Sequence, residues 1–306
     1  MIQMPGEVSQ LRRPFRIIAF DWDGTAVENR SADARPVAVR IEELLKLGVP
    51  IVVITGTNFN NIDKQFSSLI SGPHKRNLYV LTNRGSEVYG FDENSKPVLI
   101  YRRNASATED LLLTKIAQAL RDYVRYLGGP KIDIVYNRLN RRKIDMIPEP
   151  DWADPPKSRI GDLLQATEHR LRAGGIPGGI KQLFDLAEKV SRAFGLEGAK
   201  LTSDVKFIEV GLTDKADSIN WVLQHLAPKV GARPGDILFA GDEFGPIAGF
   251  EGSDFRMVTP EAKGSVFVSV GPEPAGVPGE VIHMGGGPAN FERLLNQQIE
   301  VHRGQQ

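Results

Sequence analysis

Four apolar runs, each long enough for a fully buried strand, recur along the chain. They are "FRIIAF" at 15–20, "PIVVIT" at 50–55, "LYVLT" at 78–82 and "DILFAG" at 236–241. Most are followed by stretches with helical spacing of apolar residues, such as "PVAVRIEELLKLG", which begins with a proline and stops at a glycine. Continuous apolar strands that alternate with helices predict a parallel sheet covered on both faces. The expected fold class is therefore α/β.

The middle of the chain follows a different pattern. A long helical pattern over 107–127 precedes "KIDIVYNRLNRRKIDMIPE", which is typical of a β-hairpin, and a second helix is expected over 179–194. After about residue 201 the first pattern returns, with further strands expected at "FRMVT" and "VFVSVG". We therefore expect a discontinuous sheet domain over 14–100 and 201–298. An α+β domain over 101–200 is inserted into it.

Composition excludes several classes of protein. Lys plus Arg and Asp plus Glu both number 38 in the 306 residues, so no global basic field favours a nucleic-acid partner. The absence of cysteine excludes disulfides, thiolate metal sites and a cysteine nucleophile. The N-terminal residues lack the apolar core of a secretory signal, and no apolar run approaches the roughly 18 residues of a membrane span. We expect a cytoplasmic monomer or homodimer without membrane or nucleic-acid partners.

Polar residues follow the predicted strands. In a parallel sheet, catalytic and binding residues usually lie at the carboxyl ends of the strands. The polar residues are Asp21 and Asp23 in "DWDGT", Thr55 and Thr57, Asn83 and Arg84, and Asp242 and Glu243. Lys215 begins a predicted helix in "LTDKADSI". An Asp-Gly pair after a strand is by itself a common turn. Together with a hydroxyl, a lysine and further acids at the same sheet edge, "DWDGT" indicates a catalytic site.

This set of residues resembles the four motifs of the haloacid dehalogenase superfamily of phosphotransferases. "DWDGT" is similar to the first motif, Thr55 to the second, Lys215 to the third and "GDE" at 241–243 to the fourth. The inserted domain resembles the superfamily's type-two cap of the IIB kind, and "YVLTNRGSEVYG" resembles a segment of the Cof-like sugar-phosphatase subgroup. The resemblance implies a Rossmann-like doubly wound sheet with an inserted cap, and a phosphatase of a small phosphorylated metabolite.

The resemblance also implies roles for single residues. Asp21 is expected to attack phosphorus and form an aspartyl phosphate, while Asp23 acts as general acid and base. Thr55 and Lys215 are expected to stabilise the transferring phosphoryl group. A phosphate would be repelled by bare carboxylates, so Mg²⁺ is expected as the cofactor. Further substrate contacts are expected at the following positions on the sheet side: Gly24, Thr25, Gly56, Thr57, Asn83 and Arg84.

The fourth motif departs from the usual pattern. Pro246 and Ile247 stand where the second acid is expected, but "GSDFRM" offers Asp254 with Met257 three residues later. The metal ligands are therefore expected to be Asp21, Asp23, Asp242 and either Asp254 or Glu243. Asp254 as an ordinary residue at the start of a strand is the alternative interpretation.

The predicted hairpin of the insert carries four cationic side chains: Arg138, Arg141, Arg142 and Lys143. The segment "YNRLNRRKIDMIP" is similar to a cap segment of phosphomannomutases, in which an arginine binds the sugar phosphate. Forked guanidinium groups suit carboxylate or phosphate oxygens, so a second anionic group on the substrate is expected. A solvated hairpin turn is the alternative.

Three functions are compatible with these patterns. The first is a magnesium-dependent phosphatase acting on a sugar phosphate or a phosphorylated sugar acid. The second is a phosphomutase of the phosphomannomutase type, which must keep the phosphoryl group and exclude water. The third is a non-catalytic metabolite-binding protein with the same fold, against which the intact Asp21 and Asp23 argue.

Overall fold

The computed structural model of the chain describes residues 8–153, 155, 159–247, 249–272 and 275–305. The described strands are β1 (Ile17–Asp21), β2 (Ile51–Ile54), β3 (Leu78–Thr82), β4 (Glu87–Phe91), β5 (Pro97–Arg102), β6 (Asp133–Arg138), β7 (Arg141–Asp145), β8 (Lys200–Ser203), β9 (Phe207–Gly211), β10 (Ile237–Gly241), β11 (Val266–Ser269) and β12 (Val281–His283). The described α-helices are α1 (Arg35–Lys46), α2 (Phe59–Gln65), α3 (Ala107–Tyr126), α4 (Ile160–Ala173), α5 (Gly179–Ala193), α6 (Lys215–Trp221), α7 (Ala227–Val230) and α8 (Gly287–Arg303).

The chain divides into two compact units. The first unit runs up to Arg102, resumes over Asp214–Pro246 and resumes again from Ser253. The second unit consists of Arg103–Thr213 and a short separate piece, Ile247–Gly252. No helix among the described residues is long and apolar enough to cross a membrane.

The first unit is built on an eight-stranded sheet with the order β12-β11-β10-β1-β2-β3-β4-β5. The six strands from β12 to β3 are parallel, and β4 and β5 extend the sheet as antiparallel strands. Alternate residues of β1 enter two different hydrophobic clusters: Ile18 and Phe20 pack on one face, Ile17 and Ala19 on the other. Both faces of the sheet are therefore buried, which explains the continuous apolar runs in the sequence. The predicted α/β fold class is confirmed.

Helix α1 shows how the sequence covers one face of this sheet. Pro36 lies in its first turn, where a missing N–H costs nothing, and Gly48 follows its end with a φ of 82°. Val37, Ile41 and Leu44 recur at helical spacing and are buried in the same cluster as Ile18 and Phe20.

The second unit contains a four-stranded antiparallel sheet with the order β6-β7-β9-β8, together with α3, α4 and α5. Residues 207–211 pair antiparallel with β7, so β8 and β9 belong to this sheet. The first unit consequently resumes at Asp214, whereas the sequence pattern put its return near residue 201. Long-range pairing of this kind leaves no local signal in a strand's own sequence.

The segment "FRMVT" does not form the strand that its apolar residues suggested. Residues Ser253–Met257 form a short 3₁₀ helix. The Asp254 carboxylate accepts hydrogen bonds from the backbone N–H groups of Asp242 and Glu243, at 2.9 and 2.8 Å. These contacts hold the segment in a turn beside the end of β10.

Candidate active site

Three strand ends in the first unit bring the predicted motif residues to the same edge of the sheet. Asp21 is the last residue of β1 and is paired in register with Ile54 of β2, which Thr55 follows directly. On the other side of β1, β10 ends at Gly241, and Asp242 comes next. The two motif strands that flank β1 therefore deliver Thr55 and Asp242 to either side of Asp21.

The turn after Asp21 is shaped by a glycine. Gly24 has a φ of 92°, a backbone conformation that residues other than glycine rarely adopt. Its N–H donates to the Val27 carbonyl. Asp23 precedes this glycine, and its carboxylate lies 3.8 Å from Arg30 Nε. Thr25 follows, fully buried, and its hydroxyl donates to Asp242 Oδ1 at 3.2 Å. The Thr25 hydroxyl therefore contacts an acid of the fourth motif, and the substrate contact expected from the sequence stays a prediction.

Lys215 occupies the centre of the site. Helix α6 begins at this residue because Asp214 caps it: the Asp214 carboxylate accepts from the Ala216 N–H, and Asp217 accepts from the Asp214 N–H. The Lys215 ammonium lies 2.6 Å from Asp21 Oδ1 and 2.5 Å from Asp254 Oδ1. One buried cation therefore joins Asp21 of the first motif to Asp254 of the fourth.

Burial alone would lower the pKa of Lys215, because a charged amine loses hydration inside a protein. The nearby carboxylates of Asp21, Asp254 and Glu243 outweigh burial, so the pKa of Lys215 lies above its ordinary value. Lys215 is therefore an ammonium at neutral pH and serves as a fixed positive charge in the site.

Three acids of the site form a compact group of oxygens. Asp21, Asp242 and Asp254 each offer one carboxylate oxygen, and these three oxygens lie within 4.8 Å of one another. The approach of Asp254 depends on Gly241, because a Cβ at that position would lie 2.5 Å from the Asp254 carboxylate. The glycine of "AGDE" is thus required by the close packing of the two fourth-motif segments.

The two rival acids of the fourth motif have different surroundings. Asp254 is fully buried and belongs to the acidic group. The Glu243 carboxylate instead accepts a hydrogen bond from the Ser253 hydroxyl at 2.8 Å, and the Glu243 carbonyl accepts from the Asp254 N–H. Glu243 therefore braces the loop that carries Asp254.

The loop after β2 is held by hydrogen bonds of its own. The Thr57 N–H donates to the Thr55 hydroxyl oxygen at 3.2 Å, and the Thr57 hydroxyl accepts from the Asn61 side chain at 2.7 Å. The Arg84 side chain passes over Gly56, since a Cβ on that glycine would lie 3.6 Å from Arg84 Nε. Thr55, Gly56 and Arg84 are therefore brought together, while the Thr57 hydroxyl is engaged by helix α2.

Asn83 has a structural partner that the sequence did not suggest. Its side-chain amide donates to Glu87 Oε2 at 2.7 Å, and its backbone N–H donates to the Thr57 carbonyl. Glu87 was not among the predicted site residues. The only signal for it was an acid at the start of an otherwise apolar strand, "EVYGF".

The cationic cluster predicted in the insert lies in the second unit, and most of it is paired with acids there. Glu209 on β9 accepts from Arg141 and Lys143 of β7, at 3.1 and 2.8 Å, and both Arg141 and Glu209 are about one-twentieth exposed. Arg142 points to the other face of this sheet and pairs with Asp110 at 2.7 Å. Arg138 ends β6 and is partly exposed. The four residues therefore do not form one solvated patch.

No protein-family model and no curated protein matches the sequence. Solved structures do match its fold. The IMP-nucleotidase of Plasmodium falciparum, bound to IMP, is 12% identical over 97% of this chain and 70% of that chain, with a TM-score of 0.61. The trehalose-6-phosphate phosphatase of Aspergillus fumigatus is 12% identical over 98% of both chains, with a TM-score of 0.58.

The chain shares the fold of these two enzymes. The fold expected from the four motifs is thereby confirmed, and it extends over nearly the whole chain. Identity this low carries no residue-level information, so the roles expected of the four motifs' residues stay predictions.

Proposed function

We propose that this protein is a magnesium-dependent phosphatase of a small phosphorylated metabolite. The observation that carries the proposal is the buried arrangement of Lys215 between Asp21 and Asp254, with Asp242 completing a group of three close carboxylates. A single lysine does not neutralise three acids. The group therefore requires a further cation, and a phosphate ester can enter only where such charge is balanced.

The donor set fits Mg²⁺. This ion prefers hard oxygen ligands and is bound in proteins through one or two carboxylates together with substrate phosphate oxygens. Asp21 and Asp242 are proposed as side-chain ligands, Asp23 as a main-chain ligand and Asp254 as the acid that completes the site. The bound ion would supply positive charge that stabilises the phosphoryl oxygens.

The first half of the reaction forms a covalent intermediate on Asp21. Lys215 holds one oxygen of this carboxylate, and the other oxygen attacks phosphorus. The bond between phosphorus and the ester oxygen breaks as the aspartyl phosphate forms. Asp23 gives its proton to the leaving oxygen, so that an alcohol departs.

The second half releases phosphate. Asp23, now ionised, takes a proton from a water molecule as that water attacks phosphorus, and the bond to Asp21 breaks. Asp21 and the proton on Asp23 are thereby restored. Lys215 and Thr55 lie beside Asp21 and are proposed to stabilise the charge on the phosphoryl oxygens in both halves.

The second unit is proposed to select the rest of the substrate. Arg141 and Lys143 both contact one carboxylate, that of Glu209, so two cationic side chains lie together in the second unit. A second anionic group on the substrate would be attracted to these two cations. The two solved structures of similar fold are named for enzymes of a nucleotide and a disaccharide phosphate, and we propose a sugar phosphate or a phosphorylated sugar acid here.

A panel of phosphorylated metabolites tests this proposal. Purified protein is incubated with sugar phosphates and phosphorylated sugar acids, with Mg²⁺ or with a chelator, and released phosphate is measured. We expect magnesium-dependent release, with preference for substrates that carry a second anion. Absence of release from every monoester, including a generic aryl phosphate, would refute the phosphatase. Isomerised sugar phosphate on addition of a sugar bisphosphate would identify a phosphomutase instead.

A further inference from the structure

A three-residue turn in the first unit adopts a backbone conformation that is costly for its sequence. Asn83, Arg84 and Gly85, here called the left-handed turn, have φ values of 51°, 54° and 86°. Residues other than glycine are uncommon in this region, although asparagine adopts it more often than most. Two of them in succession persist only where the surroundings impose the conformation.

The left-handed turn touches two motif segments at once. The Arg84 N–H donates to the Thr55 carbonyl at 3.0 Å, so the turn is bonded directly to the second motif. Gly85 packs on the first turn of α6, because a Cβ there would lie 2.9 Å from the Ser218 nitrogen. Helix α6 begins with Lys215. The position of the turn therefore bears on both Thr55 and Lys215.

The Glu87 carboxylate accepts a hydrogen bond from Asn83, the first residue of the left-handed turn. Its carboxylate is 4% exposed, and Oε2 accepts from the Thr82 hydroxyl at 3.1 Å and from the Asn83 side chain at 2.7 Å. The other oxygen, Oε1, accepts from Arg102 through Nε at 2.8 Å and through Nη2. The Tyr89 hydroxyl also donates to Oε1, at 3.3 Å. Five donors from four side chains thus converge on one buried carboxylate.

We propose that Glu87 is a positioning residue whose carboxylate, fixed by Arg102, holds Asn83 in the left-handed turn and thereby aligns Thr55 and Lys215. This inference rests on the proposed phosphatase function and deepens it. Glu87 does not touch the reacting atoms; it acts through the turn.

An alternative role for Glu87 is simple stabilisation of the fold. Buried ion pairs are weak sources of stability, because the cost of removing both charges from water offsets most of their attraction. A packed apolar pair would serve the core at least as well. The directed hydrogen bond from Asn83 to Glu87, at a strained backbone position, is what an apolar pair would lose.

Two variants separate positioning from stability. Glu87→Gln keeps the size of the side chain but presents an amide to the Arg102 donors, so the network is broken. Asn83→Gly relieves the backbone strain while removing the bond to Glu87. We expect kcat to fall by about ten- to a hundredfold in both, with a much smaller change in KM, because misplaced groups lose transition-state stabilisation. The Asn83→Gly melting temperature should remain close to that of the wild type.

Conservative rescue and a matched control complete the test. Arg102→Lys keeps a cation beside Glu87 and should retain more kcat than Arg102→Ala. Glu292→Gln breaks another ion pair of the first unit, between Glu292 and Arg40, and should leave kcat unchanged. Activity is followed with an aryl phosphate and Mg²⁺, and melting temperature is measured in parallel.

The possible results separate failure of the positioning role of Glu87 from failure of the proposed phosphatase function. A wild-type protein without turnover would refute the phosphatase, and the inference with it. An active wild type with unchanged kcat in Glu87→Gln or Asn83→Gly would overturn the inference alone. A kcat loss that merely follows the loss of melting temperature, in Glu87→Gln as in Glu292→Gln, would also overturn it.

Discussion

Each unit contains a cluster of charged side chains, and the ratio of carboxylates to cations is opposite in the two clusters. In the first unit one cation, Lys215, meets the carboxylates of Asp21 and Asp254. In the second unit one carboxylate, Glu209, meets the cations of Arg141 and Lys143. We propose that the first cluster binds an additional cation and the second an additional anion. Mg²⁺ is the proposed cation, and a phosphorylated substrate with a second anionic group is the proposed anion.

Asp21, the proposed nucleophile, is the residue on which this comparison depends most. Asp21→Asn should lower phosphate release by a factor of about a thousand or more, because an amide does not form the covalent intermediate. Its melting temperature should not fall, since Lys215 keeps Asp254 as a partner and one of two close acids is removed. Asp33→Asn, an exposed acid paired with Arg35, is the matched control and should keep full activity. Retained turnover in Asp21→Asn would remove Asp21 from the mechanism.

Replacing Lys215, the cation of the first cluster, should leave its carboxylates without that positive charge. Lys215→Met leaves two acids buried together, and we expect about 3–5 kcal/mol loss in the free energy of unfolding. Mg²⁺ should restore part of the melting temperature, by more than it raises that of the wild type.

The control for this prediction lies in the second unit. Lys206→Met also removes a buried lysine, which pairs with Asp145 and donates to the Ile147 carbonyl. It should be destabilised without any particular response to Mg²⁺. Equal responses of the two variants would show that the acids of the first unit have no special affinity for the ion.

The second cluster should respond to the opposite kind of ion. Glu209→Gln leaves Arg141 and Lys143 without their shared carboxylate, and we expect about 2–3 kcal/mol loss of stability, because the amide still accepts one hydrogen bond. Sulfate or inorganic phosphate should recover part of the melting temperature. Glu188→Gln, at an exposed pair with Arg192, should show neither effect. Lack of anion recovery would argue against an anion site in this cluster.

The ion pair between Glu87 and Arg102 provides the test with the smallest expected effect. Burial alone would raise the pKa of Glu87, but hydrogen bonds from Arg102, Asn83 and Thr82 hold it below its usual range. A carboxyl group with a lowered folded pKa stabilises the protein above its ordinary pKa of about 4.3, and this contribution is lost as pH falls through the folded pKa. The difference in melting temperature between the wild type and Glu87→Gln should therefore be constant from neutral pH to about 5 and shrink below it. A difference that widens on acidification would contradict this assignment.

The sequence was most informative where function and fold depend on strand ends. Asp21, Thr55 and Asp242 each follow a continuous apolar run, and a parallel sheet places such residues at one edge. Lys215 was identified because it begins a predicted helix, and helix α6 does begin there. These features are local, so the sequence alone was sufficient to predict them.

Features that depend on distant pairing were not predictable in the same way. Strand β9 looks like the other apolar strands, and only its antiparallel register with β7 assigns it to the second unit. Helix α4 was not predicted, and it follows a proline-rich stretch without a side-chain cap. Glu87 gained its significance from Arg102, which lies in a different strand.

The short piece Ile247–Gly252 has a consequence for the modularity of this protein. It belongs to the second unit, where Phe250 packs on Phe184 with ring centroids 5.3 Å apart and Ile247 joins the same hydrophobic cluster. A gene fragment that encodes only residues 103–213 would therefore yield a unit in which the part of the hydrophobic cluster that these two partly buried side chains cover is exposed. Exchange of this unit between related proteins would require two cuts in the recipient chain, the second between Asp242 and Asp254, within the proposed metal-binding motif itself.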